Sequence, residues 1–351
     1  MKRFLITAFC FLLSGFSLFG QSYRALFIGN SYTEVNNLPQ MVQNMAESMG
    51  DTLFFQSHTP GGCTFQQHVS GAAPYIQRGG WDYVVLQEQS QLPSFPIFQF
   101  MDESYPYAQQ LCEMIRQYNA DSHIVFYMTW GRKNGDPQNA QYYPPLETYE
   151  GMDSLLYERY MLMAQDNQAW VSPVGYVWHY MRDHYPDIEL YSSDGSHPSL
   201  FGTYIAACCF YTVFFQKDPI QIPFVSTLDP QQAQLAKEAV SLLVYDSLSK
   251  WFVDTEMVPS NDSTAIMDVE IPKVSISFQT LNHTLELTTQ DHQPFTLTVT
   301  SLNGRLVRKF EGGGDDTFYV FPVGNMEADL YVVTYRTPLG LFSQKIYIPQ
   351  L

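Results

Sequence analysis

Short apolar runs alternate along most of the chain with longer stretches whose apolar residues recur at helical spacing. Residues 23–29 (YRALFIG) form a mostly apolar run closed by glycine and predict a buried strand. Residues 51–58 predict a second strand, broken by Thr59-Pro60-Gly61-Gly62. Residues 82–86 (DYVVL) and 123–129 (HIVFYMT) predict a third and a fourth. Between the first two, Pro39 sits where a helix can start and Gly50 where it can stop, with Met41, Val42, Met45 and Met49 on one face. Helices are expected over 106–118, 146–167, 176–185, 201–215 and 231–252. Residues 131–145, rich in Asn, Pro, Gln and Tyr, read as a long loop beside any site the strands present. Strands alternating with helices argue for a parallel sheet covered on both faces, and such sheets build sites at the carboxyl ends of their strands.

The pattern changes after Trp251. Residues 253–270 are polar, with Pro259, Ser260, Asn261 and Asp262, and read as a linker. From 271 to 351 the chain alternates apolar and polar positions in seven runs: VSISF, TLELTT, FTLTVTSL, RLVRKF, TFYVF, LYVVTYR and FSQKIYI. Turn residues such as Asn303-Gly304 and Gly312 to Gly314 separate them. This predicts a small antiparallel, all-β sandwich. No internal repeat is visible.

Composition and charge narrow the function classes. At 45% hydrophobic and 15% charged residues, the 351-residue chain can bury a sizeable core. Residues 1–22 open with Lys2 and Arg3, continue with an apolar run over 4–13 and end in small residues. That is the layout of a secretory signal peptide, with an uncleaved anchor as the alternative, and it predicts a secreted, periplasmic or cell-surface protein. No other stretch is long and apolar enough to suggest a stable membrane span. Removing Lys2 and Arg3 would take the formal charge from −17 to −19. Such a surface repels phosphate backbones and anionic membranes, so nucleic acid is not an expected partner. Cys63, Cys112, Cys208 and Cys209 remain after the leader; their spacings do not resemble a metal site, and no cofactor is expected. Pairing of Cys63 with Cys112 is open, whereas Cys208 and Cys209 lie in an apolar helical stretch and look like packing residues.

Two polar segments carry candidate chemistry. Gly29-Asn30-Ser31-Tyr32-Thr33 directly follows the first strand, so Ser31 would sit at the strand's carboxyl end, at the start of a helix, near backbone N–H groups able to face an oxyanion. A serine needs a base to act as a nucleophile. Asp194-Gly195-Ser196-His197-Pro198 supplies an acid and an imidazole three residues apart, so that one ring nitrogen can be held and the other left free to take a proton. Alone, the first segment also fits a helix cap and the second a surface turn.

Taken together, GNS at 29–31 and DGSH at 194–197 resemble the SGNH (GDSL-like) hydrolase superfamily, over roughly residues 23–250. The resemblance implies a three-layer α/β/α domain over 23–252 and a triad of Ser31, His197 and Asp194. Asn30 stands where the family name has Asp. The family draws further oxyanion donors from a glycine after the second strand and an asparagine after the third. Gly62 fits the glycine; the third block departs, reading Val84-Val85-Leu86-Gln87-Glu88-Gln89-Ser90. A glutamine amide can donate the same bond, with Gln89 placed first and Gln87 second. Asn30, Trp130, Arg132 and Glu88 are further candidates to line a substrate cleft, with Trp130 either stacking on a sugar ring or packing in the core. His58, His68, His179 and His184 have no partner spacing that suggests catalysis.

The departure in the third block suggests a divergent branch, similar to secreted esterase-like proteins of Bacteroidetes. The implied activity is hydrolysis of a carboxylic ester, with an O-acetylated carbohydrate as the first substrate and a lipase or thioesterase as the alternative within the class. The rival from another class is a non-catalytic carbohydrate-binding protein on a decayed hydrolase fold. The C-terminal runs FTLTVTSLNGRLVRKF and ADLYVVTYRTPLGLFSQKIYI are similar to sorting domains read by secretion machinery, although the usual Asn-Pro opening is missing; a plain accessory sandwich fits equally.

Overall fold

A computed structural model of the chain describes residues 20–253, 274–279, 283–289, 293–301, 305–313, 316–324, 326–337 and 340–348. Most of the expected signal peptide (1–19), nearly all of the expected linker (254–270) and the Asn303-Gly304 turn lie outside the described residues.

Five strands, β1 (Ser22–Ile28), β2 (Thr52–His58), β3 (Tyr83–Leu86), β4 (His123–Tyr127) and β5 (Trp170–Ser172), form one sheet in the order β2-β1-β3-β4-β5. Every pairing is parallel. Ala25, Leu26, Phe27 and Ile28 are fully buried, because β1 lies inside the sheet and is covered on both faces; a strand in that position has no need to alternate. The chain order reverses between β1 and β3, so the loops after these two strands flank the crevice where α/β sheets place their sites. Ser31 follows β1 and Gln87 follows β3.

Helices cover the sheet. The helix Leu200–Phe215 is buried along nearly its whole length, Cys208 and Cys209 included, which accounts for its lack of a polar face. The expected helix over 146–167 begins later, at Tyr149, where the Thr148 hydroxyl caps it by accepting from the Gly151 N–H. The expected helix over 231–252 gives way after Leu243 to a 3₁₀ segment, Tyr245–Trp251. The helix Phe65–Gly71 and the short strand β5 add to the elements expected from the sequence. Among the described residues no helix is long and apolar enough to cross a membrane.

All seven C-terminal runs are strands: β6 (Val274–Gln279), β7 (Thr284–Thr289), β8 (Phe295–Ser301), β9 (Leu306–Gly312), β10 (Phe318–Pro322), β11 (Asp329–Thr337) and β12 (Gly340–Ile348). They form two antiparallel sheets, β10-β7-β6 and β12-β11-β8-β9. Alternate residues such as Leu285 and Leu287, Phe295, Leu297 and Val299, and Tyr331, Val333 and Tyr335 meet in one apolar core between them. The chain is therefore a three-layer α/β/α domain built on a parallel sheet, with a C-terminal β-sandwich.

Candidate active site

The site is assembled from three loops. Ser31 is the first residue of the short helix Ser31–Glu34, and Asn30 is its N-cap. That position leaves the Ser31 N–H without a helical partner, and it makes no hydrogen bond. The second loop follows β2. Gly62 stands there exposed in a turn at φ +68°, a conformation glycine takes without strain, and its N–H is also unpaired. The third is the turn before the helix Leu200–Phe215, in which Gly195 at φ +67° lets the chain double back so that the Ser192 N–H reaches the His197 carbonyl at 2.8 Å.

These loops bring Ser31, His197 and Asp194 together. The Ser31 hydroxyl lies 2.8 Å from His197 Nε2, and His197 Nδ1 lies 2.5 Å from Asp194 Oδ2. Asp194 Oδ1 accepts the backbone N–H groups of Ser196 and His197, both at 2.9 Å. Partial burial pushes the Asp194 carboxyl up, but the bond from the His197 ring and the two backbone donors outweigh it and hold it down at about 2. An ionised carboxylate fixes the ring with Nε2 facing the hydroxyl, the arrangement a base needs to take that proton.

Gln87 and Asn30 are turned into the protein, whereas Gln89 keeps a donor. Gln87 is fully buried behind the loop that carries Ser31. Its Oε1 accepts the Asn30 N–H and the Thr33 hydroxyl, each at 2.9 Å. Its Nε2 donates to Asn30 Oδ1 at 3.0 Å and to the Glu88 carbonyl. Both amide N–H groups are thus taken up, and Gln87 has none left for an oxyanion. Gln89 Oε1 accepts from the Gln91 and Leu92 N–H groups, and its amide donates to Gln91 Oε1 at 3.2 Å, leaving one N–H over. Asn30 is buried too: beyond its bonds to Gln87, its Nδ2 donates to the Cys63 carbonyl at 3.0 Å and its Oδ1 caps the Tyr32 N–H. An aspartate here could not donate to Cys63, so the departure from Asp ties the Gly62-Cys63 loop to the loop that carries Ser31. Its Oδ1 is fully engaged, while its Nδ2 donates one of its two N–H groups to Cys63.

Glu88 and Trp130 are likewise withdrawn from any cleft. Glu88 is fully buried; Oε1 accepts the N–H groups of Phe65 and Gln89 at 2.8 and 2.7 Å, and Oε2 accepts the Ser104 hydroxyl at 2.7 Å. Burial pushes its carboxyl up to about 7, against the pull of these three donors. Trp130 is fully buried between two rings, stacked on Trp178 at 3.7 Å and on Tyr32 at 4.9 Å. It packs, and cannot stack on a sugar; its Nε1 donates to the Ser196 carbonyl at 3.1 Å. Arg132 remains at the surface of the site, with its side chain 25% exposed, its Nη2 3.4 Å from the Ser90 hydroxyl and its Nη1 3.8 Å from Asp136.

Tyr32 was not singled out by sequence. Its hydroxyl shares a 2.6 Å hydrogen bond with Ser196, and its ring meets His197 edge-on at 5.3 Å. Burial raises its pKa, so it remains a neutral phenol. Elsewhere, His68 is buried with Nδ1 3.7 Å from Cys63 Sγ, and His179 contacts Asp153 at 2.9 Å. Cys63, Cys112, Cys208 and Cys209 are all free and buried, so the pairing left open between Cys63 and Cys112 is not formed. Among the described residues no group of three or more His, Cys, Asp or Glu side chains could hold a metal.

Neither a protein-family model nor a curated protein matches the sequence. Solved structures do. A DUF4886 family protein from Bacteroides uniformis is 18% identical, with a TM-score of 0.57 over 66% of this chain and 100% of that one. A lipase/acylhydrolase from Enterococcus faecalis is 14% identical over 54% of this chain and 93% of that one, with a TM-score of 0.40. An acetylxylan esterase from Geobacillus stearothermophilus is 15% identical over 55% and 94%, with a TM-score of 0.39. The last two likenesses are too slight to bear on chemistry; the first establishes a shared fold for the α/β/α domain.

Proposed function

We propose that this protein is a secreted serine esterase that removes O-acetyl or other small acyl groups from carbohydrate. The observation that carries the reading is the unbroken relay from Ser31 through His197 to Asp194, at 2.8 and 2.5 Å. His197 Nε2 takes the Ser31 proton as the oxygen attacks the ester carbonyl. The unpaired N–H groups of Ser31 and Gly62 receive the oxyanion, with the remaining Gln89 N–H as the third donor. His197 then protonates the departing sugar alcohol. It next activates water to release the acyl group and restore Ser31.

The basic and apolar start of the chain supports export, and the third-block departure supports a divergent secreted branch of the SGNH superfamily. The polar, tyrosine-rich segment 131–145 supports a sugar over a lipid. The rival reading of a decayed, purely binding protein calls for a serine out of reach of the base, and the 2.8 Å contact speaks against it. The test is acetate release from 4-nitrophenyl acetate and acetylated xylan by residues 23–351, beside Ser31→Ala. Release by the wild type that is lost in the variant is the expected result. Equal release by both proteins would remove Ser31 from the role given to it.

A further inference from the structure

A cleft of about 650 Å³ is lined by residues from 95–99, 139–146, 155–159 and the C-terminal domain. Two loops connect it to the site. Gln91 of the β3 loop donates to Asp136 Oδ2 at 2.5 Å, and Asn139, which lines the cleft, donates to the same oxygen at 2.7 Å. Asp136 in turn faces Arg132 across 3.8 Å. The loop after β3, which carries Gln89, is thus bonded to the loop after β4, which lines the cleft through Asn139.

We propose that this cleft binds neutral sugar units flanking the acylated one in a polysaccharide, a subsite that rests on the carbohydrate part of the function proposed above. Phe98 and Tyr142 line it while 60% and 81% exposed, so two large aromatic faces meet water with no core to fill. Arg159 also lines it with its side chain only 3% exposed, yet its Nε and Nη1 are buried without an acceptor, the nearest carboxylate being Glu158 at 3.6 Å. These two donors are closed to solvent, so Arg159 holds the wall of the cleft and the exposed rings make the contact with sugar. Glu158, Glu327 and Asp329 stand around the same cleft and supply acceptors for its hydroxyls. These acids, on a chain of formal charge −17, disfavour a carboxylated or phosphorylated polymer. Glu327 and Asp329 belong to the C-terminal domain, which supports its reading as an accessory sandwich over a sorting signal.

The test uses the full chain carrying Ser31→Ala, so that binding is read without turnover. Its migration is followed in native gels containing arabinoxylan, glucomannan or mixed-linkage β-glucan, with polygalacturonate as the anionic comparison. The expected result is retardation by at least one neutral polymer, weakened about tenfold by adding Phe98→Ala and Tyr142→Ala. Retention unchanged in that variant, no retardation by any neutral polymer, or equal retardation by polygalacturonate would overturn the proposal. In the active chain the same two substitutions should raise KM on the acetylated polymer while leaving kcat and 4-nitrophenyl acetate turnover unchanged. Failure of the gel assay with intact turnover would sink the subsite alone. Loss of all turnover in the unsubstituted chain would sink the esterase and leave the gel result standing.

Discussion

The hydroxyl of Tyr32 and the hydroxyl of Ser196 share a 2.6 Å hydrogen bond that ties the loop carrying Ser31 to the loop carrying His197. Tyr32 is the neighbour of Ser31 and Ser196 the neighbour of His197, so the bond holds Ser31 and His197 from one residue away on each side. Trp130 reinforces it from behind, stacked on Tyr32 and bonded to the Ser196 carbonyl. Tyr32→Phe keeps the stack and removes the bond. Its expected cost is about 1 kcal/mol of stability. Loosened alignment should lower kcat about tenfold with KM little changed, read from steady-state rates on 4-nitrophenyl acetate. An unchanged kcat would make the bond merely structural.

Asp194 is held down at about 2, so it stays ionised throughout the pH range in which the enzyme would work. Asp194→Asn would preserve the shape of the turn but favour the wrong ring tautomer of His197. The expected loss in kcat is about 10³- to 10⁴-fold, by analogy with other Ser-His-Asp sites. A loss of only a few-fold, measured on the purified variant, would mean that the carboxylate does not orient the base.

Gln87 is a structural amide, and its substitution should report chiefly on stability. Gln87→Leu strands the Asn30 N–H and the Thr33 hydroxyl in a buried place. The expected destabilisation is about 3 kcal/mol or more, measured by urea unfolding. A variant as stable as the wild type but catalytically dead would instead return Gln87 to the oxyanion.

How far the site could be read from sequence depended on whether its contacts were local. Ser31 follows a strand by a few residues, and Asp194 and His197 share one turn, so local pattern sufficed to find them. The fate of Gln87, Glu88 and Trp130 depended on partners far along the chain: Asn30 lies 57 residues from Gln87 and Ser196 lies 66 from Trp130. No local spacing says whether a polar side chain after a strand turns into the crevice or into the core. Strand β5 escaped because three residues give no periodicity to detect. The helix Phe65–Gly71 carried a signal that went unused, since Thr64 and Gln67 form a capping box. The sandwich was legible because strands such as β7, β8 and β11 bury one face and write the alternation directly in the sequence.

The buried carboxyl of Glu88 gives the fold a pH dependence of known sign. Its folded pKa of about 7 lies above its ordinary value of 4.5, so folding favours the protonated form. The stability it contributes is full below about pH 4.5 and is lost as pH rises through 7, by up to about 3 kcal/mol. Glu88→Gln can still accept from Phe65 and Gln89 through its oxygen and removes the titration. The melting temperature of the variant relative to the wild type should therefore climb between pH 5 and pH 8. A constant difference across that range would show that Glu88 is ionised in the folded chain at every pH tested.

Ser31 acting as a nucleophile is the central claim about this site. The direct measurement is covalent capture by a fluorophosphonate ester, with the adduct located by peptide mass spectrometry in the wild type, Ser31→Ala and His197→Ala. The expected result is one adduct on Ser31, absent from Ser31→Ala and strongly slowed in His197→Ala. Unlabelled wild-type protein, or an adduct that persists in Ser31→Ala, would contradict the assignment.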